Sequence, residues 1–228
     1  MRCIGLIGGI SWGATAEYYR LINLGVKDRL GGHHSAEMLI RSLDLHPLLE
    51  QAQDVARLEQ LFAQVGESLQ RGGAGLLAIA SFTGHRYAAG LRRLELPVVD
   101  LLDALAQDIR RAGATRVAVW ATSYALGDAE LLDRLQRRAM AQLVPVPEQD
   151  RAKLDRIIFD ELADRRLSEV SASWLRALLA RQGDAGAEAL LLATTDLSPV
   201  RASLQTNMAV LDASEIHCAA LVDAALAR

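Results

Sequence analysis

Two ten-residue stretches, Leu76 to His85 (LLAIASFTGH) and Leu190 to Pro199 (LLLATTDLSP), follow one plan and constrain the fold more than any other part of the chain. Each is an apolar run too short for a helix of its own, closing in small residues and then a hydroxyl-bearing turn. Such runs read as strands buried on both faces, and ligands in open α/β sheets gather beyond the carboxyl ends of such strands. One of these strand ends in each half of the chain predicts two similar lobes.

The intervening sequence alternates in the same sense. Arg2 to Ile7 reads as a strand closed by Gly8-Gly9, and Ser11 is placed to cap a helix whose stripe includes Tyr18, Ile22 and Val26, up to Leu30. A strand at 36–42, a long helix from Pro47 through Gln70, the strand ending at Ala80, a brief strand at Pro97 to Val99 and a helix through Arg111 complete the first half. The second half reads as a strand at 116–121, a helix Asp128 to Ala141, a strand Leu143 to Val146, and helices Glu148 to Arg165 and Glu169 to Gln182. The strand Ala189 to Ala193, a short strand Met208 to Leu211 and a helix Ser214 to Ala227 follow. Strands alternating with helices of this length predict an α/β fold with mostly parallel sheets between helical layers. LPVVDLLDALAQDI and MAVLDASEIHCAAL, each following one of the two matching stretches, echo one another. The expectation is two three-layer lobes related by a pseudo-twofold axis with the active-site cleft between them. Residues 1–96 plus 206–228 would form one lobe and 97–205 the other.

Composition excludes several classes. With 228 residues, 51% hydrophobic, the chain can bury a sizeable core, and a net charge of -3 offers no footprint for nucleic acid. No apolar run approaches the roughly 20 residues needed to span a bilayer, and the first residues read as a strand and glycine turn, without a signal-peptide layout. No membrane partner and a cytoplasmic location are expected. Cys3 and Cys218 are far apart, with no His/Cys cluster at zinc spacing, so neither a disulfide nor a metal is expected. GLIGGISWG lacks the GxGxxG spacing, which argues against a dinucleotide, and no cofactor is expected. Its glycines serve close strand-to-helix packing or an anion cradle. His33-His34 read as surface turn residues; Trp12 and Trp174 read as packing residues, with Trp12 placed to join a pocket wall.

Several segments together resemble the cofactor-independent aspartate/glutamate racemase family nearly end to end. GLIGGISW followed by Thr15 and Tyr18-Tyr19 is similar to the family's GLLGGMSW, Thr and Tyr-Tyr pattern; HSAEMLIRSLD, RIIFDEL and AVLDASEIHCAALV resemble its HSA strand, its RIIYEEL helix and its last strand and His-bearing helix. The resemblance implies two cysteines, one per motif strand, working as thiolate and thiol on opposite faces of an amino-acid α-carbon, without cofactor, in a homodimer. Against the family's CTNTMH and GCTEI, this chain reads Ala80, Ser81, Phe82, Thr83, Gly84, His85 and Ala193, Thr194, Thr195, Asp196, Leu197. On that matching the thiol positions are Ala80 and Thr194. An alanine has no titratable proton and a threonine hydroxyl is too weak an acid to serve unaided, whereas a cysteine near pKa 8.5 can be tuned into range. Cys218 and Cys3 read as core residues.

Other candidates follow. His85 and Asp196 leave the two matching turns and could serve as acid and base, with Thr194 beside them. Ser11, Ser81, Phe82, Thr83, Thr122, Thr195, Arg166 and His217 are candidate substrate-binding residues; Phe82, which offers no donor where the family has asparagine, would make its half of the cradle apolar. Arg166 falls near a basic residue that the family turns toward the substrate carboxylate. Structural roles stand beside these: a wall or capping role for the histidines, a solvated helix end for Arg166. The favoured reading is a divergent enzyme acting on a small carboxylate or amino-acid-like molecule by proton transfer, as isomerisation, elimination or cyclisation, without the thiol pair. A catalytically silent binding or regulatory protein, or an active-site variant of an amino-acid racemase, are the alternatives.

Overall fold

The apolar runs become strands because no polar side chain interrupts them and because amphipathic helices on either side need an apolar surface to cover. The computed structural model describes residues 1–162 and 166–227. In chain order its regular elements are β1 (Ile4–Gly8), α1 (Trp12–Leu30), β2 (Met38–Ser42), α2 (Leu45–Glu50), α3 (Val55–Arg71), β3 (Leu76–Ile79), a 3₁₀ segment (Thr83–Arg93), α4 (Leu101–Arg111) and β4 (Arg116–Trp120). Then come α5 (Ser123–Leu126), α6 (Ala129–Ala139), β5 (Gln142–Pro145), α7 (Glu148–Arg156), a π-helical turn (Ile157–Leu162), α8 (Glu169–Asp184), β6 (Ala189–Leu192), a second 3₁₀ segment (Thr195–Ser203), β7 (Ala209–Asp212) and α9 (Ala213–Leu226).

These elements form two compact units, Met1–Ala104 with Glu215–Arg228, and Leu105–Ser214. The first unit holds a sheet of order β2-β1-β3 and the second a sheet of order β5-β4-β6-β7, all neighbours parallel. Leu77 bridges to Val98 in parallel, so Val98 stands in the first unit where β7 stands in the second. The two sheets therefore repeat one order, as the echoing sequences predict.

Period-two alternation sets which face each strand residue covers. In the first unit, Leu76, Ala78 and Ala80 join Ile4 and Leu6 against Tyr18 and Ile22 of α1 and Cys218 and Leu221 of α9. On the other face Leu77, Ile79 and Ile7 meet Leu58 and Phe62 of α3 and Leu91 of the 3₁₀ segment. Each such fully buried aliphatic side chain contributes about 2 kcal/mol of transfer free energy. Arg2 donates its N–H to the Ala225 carbonyl at 2.8 Å, tying the first residues to the end of α9.

The structure departs from expectation at identifiable places. The long helix expected from Pro47 is two, α2 and α3, because Asp54 accepts from the Arg57 N–H and starts a new helix there. The strand at Pro97 to Val99 contracts to the single bridge at Val98. Helix α7 gives way after Arg156 to the π-helical turn, and the expected helix end at 163–165 lies outside the described residues. The unit boundaries shift because the Leu77–Val98 bridge keeps the segment after 96 with the first sheet, and β6 holds β7 in the second. Trp174 lies under the Lys153 ammonium, 4.9 Å from the ring centroid, but Trp12 is 82% exposed, against the packing role expected of it. His33 and His34 are exposed. Among the described residues no helix is long and apolar enough to cross a membrane. No three or more His, Cys, Asp or Glu among the described residues are grouped as a metal site.

Candidate active site

The carboxyl ends of adjacent parallel strands bring different turns together within each unit. In the first unit, β1 leads into the Ser11 turn and its neighbour β3 into Ser81; in the second, β4 leads into Thr122 and its neighbour β6 into Thr194. Ser11 and Thr122 do the same local work. Each hydroxyl oxygen accepts the backbone N–H three residues on, of Ala14 and Ala125, and so caps α1 and α5. Each keeps its own O–H proton as a donor for an incoming oxygen. Ser123 of the second unit is anchored further, its N–H donating to Asp155 of α7 at 2.8 Å.

The strand ladder fixes which residues of the two halves correspond. Ala80 donates its N–H to Ile7 O and Ala193 donates its N–H to Trp120 O, both at 2.9 Å, so Ala80 stands level with Ala193. It follows that Ser81 corresponds to Thr194, Phe82 to Thr195 and Thr83 to Asp196. Ala80, matched to one thiol position, is fully buried among core residues of β1, β3, α1 and α9, and Thr194, matched to the other, is partly exposed.

With the register set, the two turns make the same side-chain contact with different chemistry. Ser81 Oγ lies 3.1 Å from Thr83 Oγ1, while the Thr194 hydroxyl donates to Asp196 Oδ2 at 3.0 Å. Ser81 Oγ also accepts the Gly84 N–H at 3.1 Å. Gly84 is packed so tightly that an added Cβ would lie 2.7 Å from Ile10 Cδ1, which holds the Ser81 turn against the Ser11 turn. Thr194, Thr195 and Asp196 are all partly exposed, and the π-helical turn packs on the 3₁₀ segment that carries Asp196. π-helical turns of this kind recur at functional sites.

His85, expected as an acid or base, is 1% exposed and committed to the backbone at both ring nitrogens. Its Nδ1 lies 2.6 Å from the Ser81 carbonyl and its Nε2 3.0 Å from the Leu101 N–H. A carbonyl can only accept and an N–H can only donate, so the ring is the neutral, Nδ1-protonated tautomer. His217, expected to touch substrate, is fully buried between the Tyr18 hydroxyl and the Val99 carbonyl, at 2.9 and 2.8 Å. By the same reasoning Nε2 carries its proton. Burial first, and the neighbouring His85 second, push its pKa down to about 3. The two rings meet at 5.5 Å in an edge-on contact. Both histidines are therefore structural ties: they pin the Ser81 turn, Val99 and the start of α4 to α1 and α9.

Phe82, expected as an apolar cradle wall, is buried, 6% exposed. Arg166 is exposed, with its N–H on the Glu161 carbonyl. Cys218 is buried among core residues, and burial raises the pKa of the Cys3 thiol, with Glu37 adding to the effect. The correspondence of Thr83 with Asp196 was missed from sequence; the signal was present in the spacing, a hydroxyl two residues before a hydrogen-bonding partner in both turns. Asp155 and the π-helical turn carried no such signal. A cavity of about 250 Å³ among Arg176, Leu179, Asp184, Gln205 and Met208 lies at the opposite, amino-terminal edge of the second sheet, where β6 and β7 begin.

A model of the Asp/Glu/Hydantoin racemase family matches residues 7–221. The chain belongs to that family. Its fold is shared by a Yersinia pestis protein provisionally described as an Asp/Glu racemase, with 29% identity, 100% of both chains covered and a TM-score of 0.91. An aspartate racemase homologue from Pyrococcus horikoshii matches at 24% identity over 99% of both chains with a TM-score of 0.87. The Picrophilus torridus aspartate racemase matches at 15% identity over 100% of this chain and 96% of that one, with a TM-score of 0.71, a likeness of fold. The racemase-family fold supports a related, isomerase-like function.

Proposed function

We propose that this family member acts on a small carboxylate or amino-acid-like molecule by proton transfer at carbon, using a hydroxyl–carboxylate pair where a thiol would otherwise serve. The observation that carries the reading is the Thr194–Asp196 hydrogen bond at the carboxyl end of β6. Thr194 Oγ1 takes the substrate's C–H proton as its own hydroxyl proton passes to Asp196 Oδ2. The C–H electron pair stays on the substrate, delocalised into an adjacent carbonyl, and the reverse transfer delivers a proton to the same or a neighbouring atom. Within the same unit Thr122 and Thr195 supply hydroxyl donors for carboxylate or carbonyl oxygens, and Arg166 a guanidinium for a carboxylate.

Base strength narrows the substrate. In model peptides carboxylates are weaker bases than cysteine thiolates by about 4.6 pKa units, about 6 kcal/mol of driving force for proton transfer. The substrate must make up that difference with a more acidic C–H bond, one whose carbanion is shared by a ring amide, a ketone or a second carboxyl group. Incubation in deuterated water with L-aspartate, L-glutamate and the hydantoin of L-phenylalanine tests this directly. Deuterium should enter the hydantoin fastest, and Asp196→Asn should slow that exchange by about 100-fold or more. Exchange that proceeds unchanged in Asp196→Asn would remove the proposed base.

A further inference from the structure

We propose that Glu161 is a positioning residue for Arg166, fixing where that guanidinium stands when it meets a substrate carboxylate. The inference rests on the role given to Arg166 above and goes beyond it by naming what holds Arg166 in place. The Arg166 side chain is exposed, so its direction is set by the backbone that carries it more than by packing around it. Glu161 makes three bonds around that backbone. Its carbonyl accepts the Arg166 N–H at 2.9 Å, a bond spanning five residues that extends the π-helical pattern of Ile157–Leu162. Its carboxylate accepts the Ser168 N–H at 2.7 Å through Oε2 and the Ser171 hydroxyl through Oε1. Glu161 therefore joins the π-helical turn to the start of α8, and Arg166 falls between the two in sequence.

The clamp is built to stay closed. Ser168 caps α8 by accepting the Ser171 N–H at 3.1 Å, and a carboxylate at the head of that helix is favoured by the helix dipole. The Ser171 hydroxyl first, and the Ser168 N–H second, hold the Glu161 carboxyl below the usual carboxylate range, so it is charged at neutral pH. Ser171 is buried, which anchors the far end of the clamp in the core. The π-helical turn packs on the 3₁₀ segment that begins with Thr195 and Asp196. Arg166 is thus referenced, through Glu161, to the segment that carries the proposed base. A cation held in place before binding loses less freedom when it grips a carboxylate. A glutamine has one acceptor oxygen where the carboxylate has two, so Glu161→Gln meets one of its two donors with an amide NH₂ and loses that bond.

The test follows deuterium entry by mass spectrometry over a range of concentrations of two hydantoins. That of L-aspartate carries a carboxylate beside the acidic ring C–H, and that of L-phenylalanine carries none. Glu161→Gln should raise KM for the aspartate hydantoin about tenfold, with kcat within about twofold and KM for the phenylalanine hydantoin unchanged. Ser171→Ala, which keeps the charge and deletes one bond, should give the same selective rise at about threefold, and decides the matter where circular dichroism shows Glu161→Gln to be unfolded. Arg166→Ala should raise the first KM at least as much, and adding Glu161→Gln to it should raise it no further. An equal rise for both hydantoins, a further rise in the double variant, or wild-type KM in both clamp variants would overturn the positioning role while leaving that of Arg166 intact. Arg166→Ala without effect on KM would remove Arg166 from carboxylate binding, and the inference with it. Absence of exchange with both hydantoins in the wild type would overturn the proton-transfer reading and the inference together.

Discussion

The turn that follows β3 and the turn that follows β6 share one pattern, yet the first pairs a hydroxyl with a hydroxyl and the second a hydroxyl with a carboxylate. In both, a hydroxyl is hydrogen-bonded with the side chain two residues on. In the first, a buried histidine four residues further along fastens the Ser81 carbonyl. In the second the corresponding residue is Ser198, whose buried Oγ lacks a hydrogen-bond partner among the described residues. Duplication therefore leaves two copies free to diverge: one turn holds a buried histidine tie, the other a hydroxyl–carboxylate hydrogen bond. The same division shows in Asp100 and Asp212, which cap Leu102 and Ser214 identically and mark how much of the original scaffold both halves keep.

The largest expected difference between the units is in their response to acid. All five histidines lie in the first unit. Unfolded, the His217 side chain would take up a proton near the ordinary pKa of about 6.5, but in the folded chain it refuses one until pH falls to about 3. The contribution of neutral His217 is fully present above pH about 6.5 and is lost as pH falls toward 3, by up to about 5 kcal/mol. Hydrogen exchange read by mass spectrometry at about pH 4 should show the first unit losing protection ahead of the second. Equal loss in both would break the distinction.

Next in size is the tie itself. His85→Ala strands the Ser81 carbonyl and the Leu101 N–H in a buried setting, at a cost of about 3 kcal/mol, whereas Ser198→Ala at the corresponding place should change stability by less than about 0.5 kcal/mol. Urea titrations of both variants measure the contrast, and ¹⁵N NMR of the wild-type ring should show the proton on Nδ1. A third change stays within the second turn. Thr194→Val removes the hydroxyl that donates to Asp196 and should slow deuterium entry into the hydantoin about 100-fold, read by mass spectrometry; unaltered exchange would mean that the Thr194–Asp196 contact takes no part in proton transfer.

The smallest effect concerns helix endings. Helix α1 stops on Gly31 at φ 71°, whereas α6 stops on Met140 at φ 56°, a left-handed conformation that costs a side-chain-bearing residue about 1 kcal/mol. Met140→Gly should recover about that much, seen as a rise in melting temperature of a few degrees.

Much of this architecture could be read from residue patterns. Uninterrupted apolar runs at β1, β3 and β6, with glycine and hydroxyl residues after them, specify buried parallel strands because no other element accommodates them. The repeated short segment, aspartate and helix specified the duplication. What escaped was the placement of single side chains. The full burial of Ala80 was not legible because motif matching counts residues back from His85, while a strand end is fixed by ladder hydrogen bonds that ignore side-chain identity. His85 and His217 resembled solution acids and bases because their burial comes from α1, α4 and α9, elements distant in sequence. The π-helical turn after Arg156 leaves no periodic mark, since one extra residue in a turn alters hydrogen bonding without altering composition.

The link between Arg2 and Ala225 gives the molecule an almost ring-like path: the polypeptide departs the first unit once, completes the second without interruption, and comes home. A short peptide splice across that junction would make new openings possible elsewhere, for instance within the exposed Gly31-Gly32 bend. Rearranged chains of that sort would show whether folding depends on the order in which the two halves are synthesised.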